Sequence, residues 1–346
     1  MQTSIYNYAK DQLEQYFLSI DSPKFRATQV FEAVYKQRLT DFTKMSNFKK
    51  EFVGKLQDDF YFSQLKVVKV QSSEDGTKKI LYQLDDGNLI ETVLMKNNYG
   101  YSVCVTTQVG CNMGCAFCAS GLTKRVRNLE TAEMVLQVLT IDNCLREQNE
   151  RVSHVVIMGI GEPFDNYDNV LSFIKIINDG KGLEIGSRHI TLSTCGIIPK
   201  IYQFSEFPLQ VNLAVSLHFA TDEKRSQYMK INRSYNLTEL KKALQYYFAK
   251  TKRRITFEYI LLDGINDSLE DAKLLLDYVR DMNAYINLIP YNETGKQFKR
   301  SKDGRSRSFF DFLMKNKLQV TLRREQGHDI DAACGQLRVK ELLCKD

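Results

Sequence analysis

From Tyr101 to the C-terminal region the chain alternates between two periodicities, and this alternation limits the folds open to it more than any other feature. Apolar strand-like runs stand at Ser102–Thr107, Val152–Met158, His189–Thr194, Val211–Leu217, Ile255–Leu261, Ala284–Ile289 and Leu318–Leu322. Helical stretches separate several of them: Ala132–Leu145, Tyr167–Ile177, Leu237–Ala249 and Leu269–Met282. Strands that alternate with helices form parallel sheets through right-handed crossovers. The rhythm predicts an α/β chain with an open or closed β/α barrel, whose chemistry sits on the loops after the strands.

The preceding residues follow another pattern. Helical periodicity at Lys10–Ser19, Ala27–Lys36 and Phe48–Phe60 leads into alternating segments at Lys66–Gln71, Lys79–Leu84 and Leu89–Met95. This predicts a small α+β accessory domain over residues 1–90, followed by the barrel at 91–325 and a C-terminal segment at 326–346. The 346 residues can fill one large core with a module attached. No apolar run is long enough to span a membrane, and MQTSIYNYAKDQLEQYF lacks a signal-peptide layout, so a cytoplasmic location with no membrane partner is expected.

Cysteine placement is uneven. Of eight cysteines, Cys104, Cys111, Cys115 and Cys118 fall within fifteen residues, while Cys334 stands far downstream. A disulfide framework is a poor account of such clustering. Cys111-Asn-Met-Gly-Cys115-Ala-Phe-Cys118 offers three thiolates on one loop directly after the first barrel strand. A four-iron cluster held by three cysteines keeps one iron open. Structural zinc wants four closed ligands, and no second CxxC is present. On the residues alone, cluster, zinc and buried apolar cysteines are the three readings.

Other polar residues recur where barrel strands end. Gly159-Ile-Gly161-Glu162 follows the second strand, where glycines permit close backbone approach and a carboxylate can accept from an ammonium group. Ser193, Ser216-Leu217-His218 and Asn292 stand near the ends of the third, fourth and sixth strands. Each by itself could be a satisfied turn residue or, for His218, a structural histidine; their recurrence favours a binding role.

Cx3Cx2C with an aromatic residue before the last cysteine resembles the signature of radical S-adenosylmethionine enzymes. The resemblance implies a partial (β/α)6 barrel with a C-terminal strand and loop extension. It further implies a [4Fe–4S] cluster on Cys111, Cys115 and Cys118, and S-adenosylmethionine held near Gly161, Glu162, Ser193, Ser216, Leu217, His218 and Asn292.

Two further segments narrow the resemblance. Cys104-Val-Thr-Thr-Gln-Val-Gly-Cys111 and Asp329-Ile-Asp-Ala-Ala-Cys334-Gly-Gln-Leu337 closely resemble the RlmN and Cfr family of RNA adenine methyltransferases. An aromatic C–H carbon of adenine is electron-poor and does not attack a methyl sulfonium, so a carbon radical is a workable route. In the mechanism this family implies, Cys334 takes a methyl group from one S-adenosylmethionine. A deoxyadenosyl radical from a second molecule removes hydrogen from that S-methyl, and the methylene radical adds to the base. Glu91 occupies the place of the proton acceptor and Cys104 that of the resolving thiol. Without the resemblance, Cys104 would pass as a core residue and Glu91 as a solvent-facing one, while the Asp-rich, Gly-flanked setting of Cys334 argues against a core role there.

Glu162-Pro163 and the Arg323–Gly327 run resemble the RlmN form more than Cfr. The implied reaction is C2 methylation of an adenosine in 23S rRNA, with a tRNA anticodon-loop adenosine as second substrate. C8 methylation of the Cfr type and a non-enzymatic, metal-bearing RNA-binding protein are the competing readings. An electron donor such as flavodoxin and a monomeric chain are expected. The net charge of +6 suits RNA. Lys296–Arg307, expected as a loop, and Lys250–Arg254 are either phosphate contacts or solvated charge. Cys144, Cys195 and Cys344 are expected to be structural.

Overall fold

A computed structural model describes residues 2–292, 298–323, 326–327, 329–331 and 335–343. Its centre is a ten-stranded sheet whose strands lie side by side in chain order. The strands are β1 (Lys66–Ser72), β2 (Lys78–Gln83), β3 (Leu89–Asn97), β4 (Gly100–Cys104), β5 (Val152–Ile157), β6 (Ile190–Thr194), β7 (Asn212–Ser216), β8 (Ile255–Leu261), β9 (Ala284–Pro290) and β10 (Gln319–Leu322). Neighbours from β1 to β4 run antiparallel, and those from β4 to β10 run parallel.

Local chemistry accounts for both halves. Asp-Gly pairs turn the first two of the three hairpins: Asp75 accepts from the Thr77 amide at 2.8 Å and Asp86 from the Asn88 amide at 3.0 Å. Gly76 and Gly87 supply the positive φ that such turns require (84° and 82°). In the parallel half the interior strand positions are apolar, and the crossovers carry amphipathic helices.

Three helices precede the sheet: α1 (Lys10–Ser19), α2 (Phe25–Tyr35) and α3 (Lys50–Asp59). The crossovers hold α4 (Thr131–Arg146), α5 (Tyr167–Asn178), α6 (Ile198–Phe204), α7 (Asp222–Tyr228), α8 (Leu237–Thr251), α9 (Leu269–Val279) and α10 (Asp303–Lys315). The last described helix is α11 (Gln336–Leu343), which the strand-and-loop expectation for this region does not contain. Six strand–helix units run from β4 to α10, as a partial (β/α)6 barrel requires, and β10 adds one more parallel strand.

The N-terminal helices share one hydrophobic core with the barrel. Asn7 ties them polarly, donating to Glu130 at 2.8 Å and accepting from the Ala132 amide at 2.8 Å, at the start of α4. Residue 90 lies within β3, so the antiparallel strands continue the barrel sheet without a break.

Among the described residues, β10 pairs only with β9 and leaves the barrel laterally open. The segment after β10 crosses that opening. Gln326 donates to Asn97 at 3.1 Å, the Gly327 amide to Asp75 at 2.8 Å, and Lys79 to the Asp331 carbonyl at 2.6 Å. The C-terminal segment is thereby carried onto β1–β3. No described helix is long and apolar enough to cross a membrane.

Candidate active site

The cysteine loop is cinched at its base by a two-residue antiparallel ladder, Gln108–Val109 against Arg127–Asn128. Gly110 has a φ of 81°, and a Cβ there would lie 2.2 Å from the Lys124 carbonyl oxygen. Only glycine fits where the two arms of the loop cross. Inside it, the Cys111 amide donates to Thr123 O at 3.1 Å and the Cys118 amide to Cys115 O at 3.2 Å. The Ala116 amide reaches out to Tyr228 O at 2.8 Å, which fixes the loop to α7.

A separate apolar cluster of Phe117, Cys195, Phe219, Met229, Tyr291 and Phe298 packs around Cys115 and Cys118. Burial pushes the Cys111 thiol up to about 11 and the Cys115 thiol higher still, with the neighbouring thiols adding to the shift. Three half-buried thiols close enough to influence one another, on one loop beside an apolar cluster, are a donor set that fits an iron–sulfur cluster. Among the described residues no trio of His, Cys, Asp or Glu is gathered tightly enough to hold a single ion.

The remaining expected residues sit at the C-terminal ends of successive strands. Glu162, after β5, is buried; its carboxylate accepts from Thr194 Oγ1 at 2.7 Å, the Cys195 amide at 2.8 Å and the Phe164 amide at 3.0 Å. The Cys195 thiol also bonds to it, so four donors already meet about four lone-pair sites, and an ammonium group would share or displace one of them. Gly161 has a φ of 109°, and a Cβ there would meet Gln108 at 2.7 Å and Thr107 Oγ1 at 2.8 Å. Close packing on β4's continuation therefore already requires glycine at this position.

Ser193 and Ser216 face each other across β6 and β7, with 3.3 Å between hydroxyl oxygens. Leu217 is fully buried. His218 adopts a φ of 59°, and its Nδ1 accepts from the Ile260 amide at 3.2 Å. Its ring meets Phe117 of the cysteine loop edge-on at 5.1 Å. Burial, and then the Arg225 charge, push His218 down to about 3, so the ring is neutral with its proton on Nε2. Asn292 follows β9 beside Tyr291, whose hydroxyl donates to Phe117 O at 3.3 Å.

A second constellation forms where β2, β3 and β4 meet. Val93 is the register partner of both Lys79 and Cys104, so all three share one face with Glu91. Glu91, far from being solvent-facing, is 3% exposed and pairs with Lys79, itself fully buried, at 2.9 Å. The amides of Gly335 and Arg338 (the latter at 3.1 Å) also donate to its carboxylate. Arg338 further donates to Leu89 O at 2.7 Å and Thr123 Oγ1 at 2.9 Å, and Leu337 packs on Leu81 and Leu89. Burial pushes the Cys104 thiol up to about 11, against the nearby charges of Arg323 and Lys79. Cys334 lies outside the described residues. Its chain neighbour Gly335 presses on the cysteine loop, where a Cβ would meet Ser120 Oγ at 2.7 Å.

Lys79, Arg225, Glu258 and Arg338 are buried polar residues of this region that patterns alone do not reveal. Lys79 and Glu258 occupy ordinary strand positions, and only their burial marks them out. The basic runs change character. Residues 303–307 belong to α10 and not to a loop; Gly304 and the serines around it weaken the helical signal. Arg305 pairs with Asp267 at 3.2 Å and Arg307 with Asp311 at 3.1 Å, and Lys296 lies outside the described residues. Lys250–Arg254 joins the end of α8 to the start of β8, at the barrel end opposite the cysteine loop. Cys195 is buried as expected, Cys144 is exposed, and Cys344 is outside the described residues.

Parallel strands whose C-terminal ends converge on a three-cysteine loop define a radical S-adenosylmethionine protein. The Radical SAM superfamily matches residues 105–276, and the ribosomal RNA large subunit methyltransferase N-terminal domain matches residues 3–61. A protein of Spiroplasma citri named "Probable dual-specificity RNA methyltransferase RlmN" is 52% identical over 98% of both chains. One of the same name from Enterococcus faecalis is 51% identical over 98% of this chain and 97% of its own. A crystal structure of a radical SAM methyltransferase from Sphaerobacter thermophilus superposes with a TM-score of 0.90 at 38% identity, covering 96% of this chain and 98% of that one. The chain belongs to the RlmN family of radical S-adenosylmethionine RNA methyltransferases.

Proposed function

We propose that the chain methylates C2 of an adenosine in 23S rRNA, and of an anticodon-loop adenosine in tRNA, through a methyl-cysteine on Cys334. The observation that carries this reading is the Gly335 amide donating to Glu91. It brings the segment that holds Cys334 to the carboxylate that shares a sheet face with Cys104.

Cys111, Cys115 and Cys118 would hold a [4Fe–4S] cluster, and the strand-end residues from Gly161 to Asn292 would hold S-adenosylmethionine. When bound, these groups supply a transferable methyl group from one S-adenosylmethionine and a hydrogen-abstracting radical from a second. The chain's residues do the rest. Cys334 carries the one-carbon unit to the base as a thioether. Glu91 receives the ring proton, its carboxylate oriented by Lys79 and by the Gly335 and Arg338 amides. Cys104 then attacks the sulfur of Cys334; the S–S bond forms as the S–CH2 bond breaks, the freed methylene takes a proton to become the methyl group, and the one electron left over from the radical addition would return to the cluster held by Cys111, Cys115 and Cys118. The apolar cluster around the loop keeps water from a reactive radical.

Anaerobic reconstitution with reductant, S-adenosylmethionine and 23S rRNA tests the reading. Mass analysis of digested RNA should show 2-methyladenosine, with one S-adenosylhomocysteine and one 5′-deoxyadenosine per product. 8-Methyladenosine would instead assign the Cfr reaction, and no methylated base a non-catalytic role. Methylation by Cys334→Ala would overturn the methyl-cysteine route. A tRNA substrate, flavodoxin as donor and a monomer by light scattering complete the proposal.

A further inference from the structure

Arg225 is fully buried on α7, one helical turn before Tyr228, whose carbonyl accepts from Ala116 inside the cysteine loop. Its guanidinium donates only to neutral oxygens: Cys195 O at 2.6 Å, Asn232 Oδ1 at 2.9 Å, Leu217 O at 3.3 Å and Ser216 O at 3.5 Å. Among the described residues no carboxylate comes within ion-pair distance of it. The nearby Asp222 binds Asn232 at 2.8 Å and the Leu237 amide at 2.8 Å instead. A buried cation is costly unless an anion balances it. Cys195, whose carbonyl holds the guanidinium, belongs to the apolar cluster packed on Cys115 and Cys118. The anions on that side are the Glu162 carboxylate, which accepts from the Cys195 amide at 2.8 Å, and the thiolates of the cysteine loop.

We propose that Arg225 is the internal counter-charge of the cysteine loop and, as a positioning residue, sets the reduction potential of the cluster held there. This rests on the reading that Cys111, Cys115 and Cys118 bind a [4Fe–4S] cluster. A fixed positive charge favours the reduced, more negative state of its neighbour, so losing it lowers the potential. A unit charge a packing layer away, in the dielectric of a protein interior, changes such an equilibrium by about tenfold.

The test is an anaerobic redox titration of the reconstituted full-length chain without S-adenosylmethionine or RNA. Dithionite supplies one electron, which takes the cluster from its 2+ to its 1+ state, and the paramagnetic resonance signal of the 1+ state reports the midpoint. Arg225→Gln should move the equilibrium about tenfold toward the oxidised state, equal to about 59 mV for one electron. Arg225→Lys, which keeps the charge, should stay within threefold of wild type. Asp222→Asn, which removes the nearby negative charge, should move the midpoint the other way. A fully loaded Arg225→Gln chain titrating like wild type overturns the proposal. If that variant does not fold, Asp222→Asn decides: a raised midpoint supports the counter-charge, and an unchanged or lowered one overturns it. A wild-type chain that takes up iron without any such signal overturns the cluster assignment, and this proposal with it.

Discussion

The backbone amide of Gly335 donates to the side-chain carboxylate of Glu91, joining residues 244 positions apart. A strand position next to a hairpin thereby becomes the anchor of the C-terminal segment. Gly335 has a φ of 82°, and an added Cβ would lie 2.7 Å from Ser120 Oγ and 2.9 Å from its backbone nitrogen. Gly335→Ala should displace that segment from the cysteine loop. A misplacement of about 1 Å at a reacting group costs on the order of 100-fold in rate. Single-turnover methylation should fall by about that factor while the melting temperature of the barrel hardly moves. A wild-type rate would show that the contact does not position Cys334.

Lys79 and Glu91 form an ion pair in which the two side chains are 0% and 3% exposed. Removing one partner of a buried pair leaves an uncompensated charge and costs about 3–5 kcal/mol. Lys79→Met should lower unfolding free energy in urea by that order at pH 7. Adding Glu91→Leu should restore much of the loss. Additive losses in the double variant would mean that the two charges do not stabilise one another.

Glu258, on β8, is 4% exposed and accepts from Asn287 at 2.7 Å. Burial pushes its carboxyl up to about 7, opposed by the Arg323 charge and the Asn287 bond. The folded state therefore holds this proton more tightly than the unfolded chain, whose ordinary value is 4.5. Stability from this group is fully present below the unfolded value and is lost as pH rises through 7, about 3 kcal/mol in all. Urea unfolding from pH 4.5 to 8 should show a fall that is shallower in Glu258→Gln. Identical slopes would place the wild-type carboxyl near its ordinary range.

Cys104 shares a face with Glu91, and in the proposed reaction its thiol releases Cys334 from the base. Cys104→Ala should leave RNA joined to the chain, visible as a slow band on a denaturing gel and stable to reductant. Free methylated RNA at the wild-type yield would remove Cys104 from the release step.

Much of the architecture is legible in the sequence because it is written in short range. Period-2 and period-3.6 patterns predict β1–β10 and the crossover helices α4, α5, α8 and α9, and the spacing of Cys111, Cys115 and Cys118 needs only one loop to bring them together. The short helices α6, α7 and α11 have too few turns to show a periodicity, and α10 is hidden behind Gly304 and its serines. What only the tertiary structure decided is charge burial. Lys79, Glu91, Arg225 and Glu258 look like surface residues in the chain, because burial depends on which distant segments cover them. Glu91 is sealed by a segment that first crosses the open side of the barrel, and Arg225 by the crossing of α7 over the ends of β6 and β7. Local pattern sets which residues can form a strand or a loop; the environment of a charge is set by packing between segments far apart in the chain.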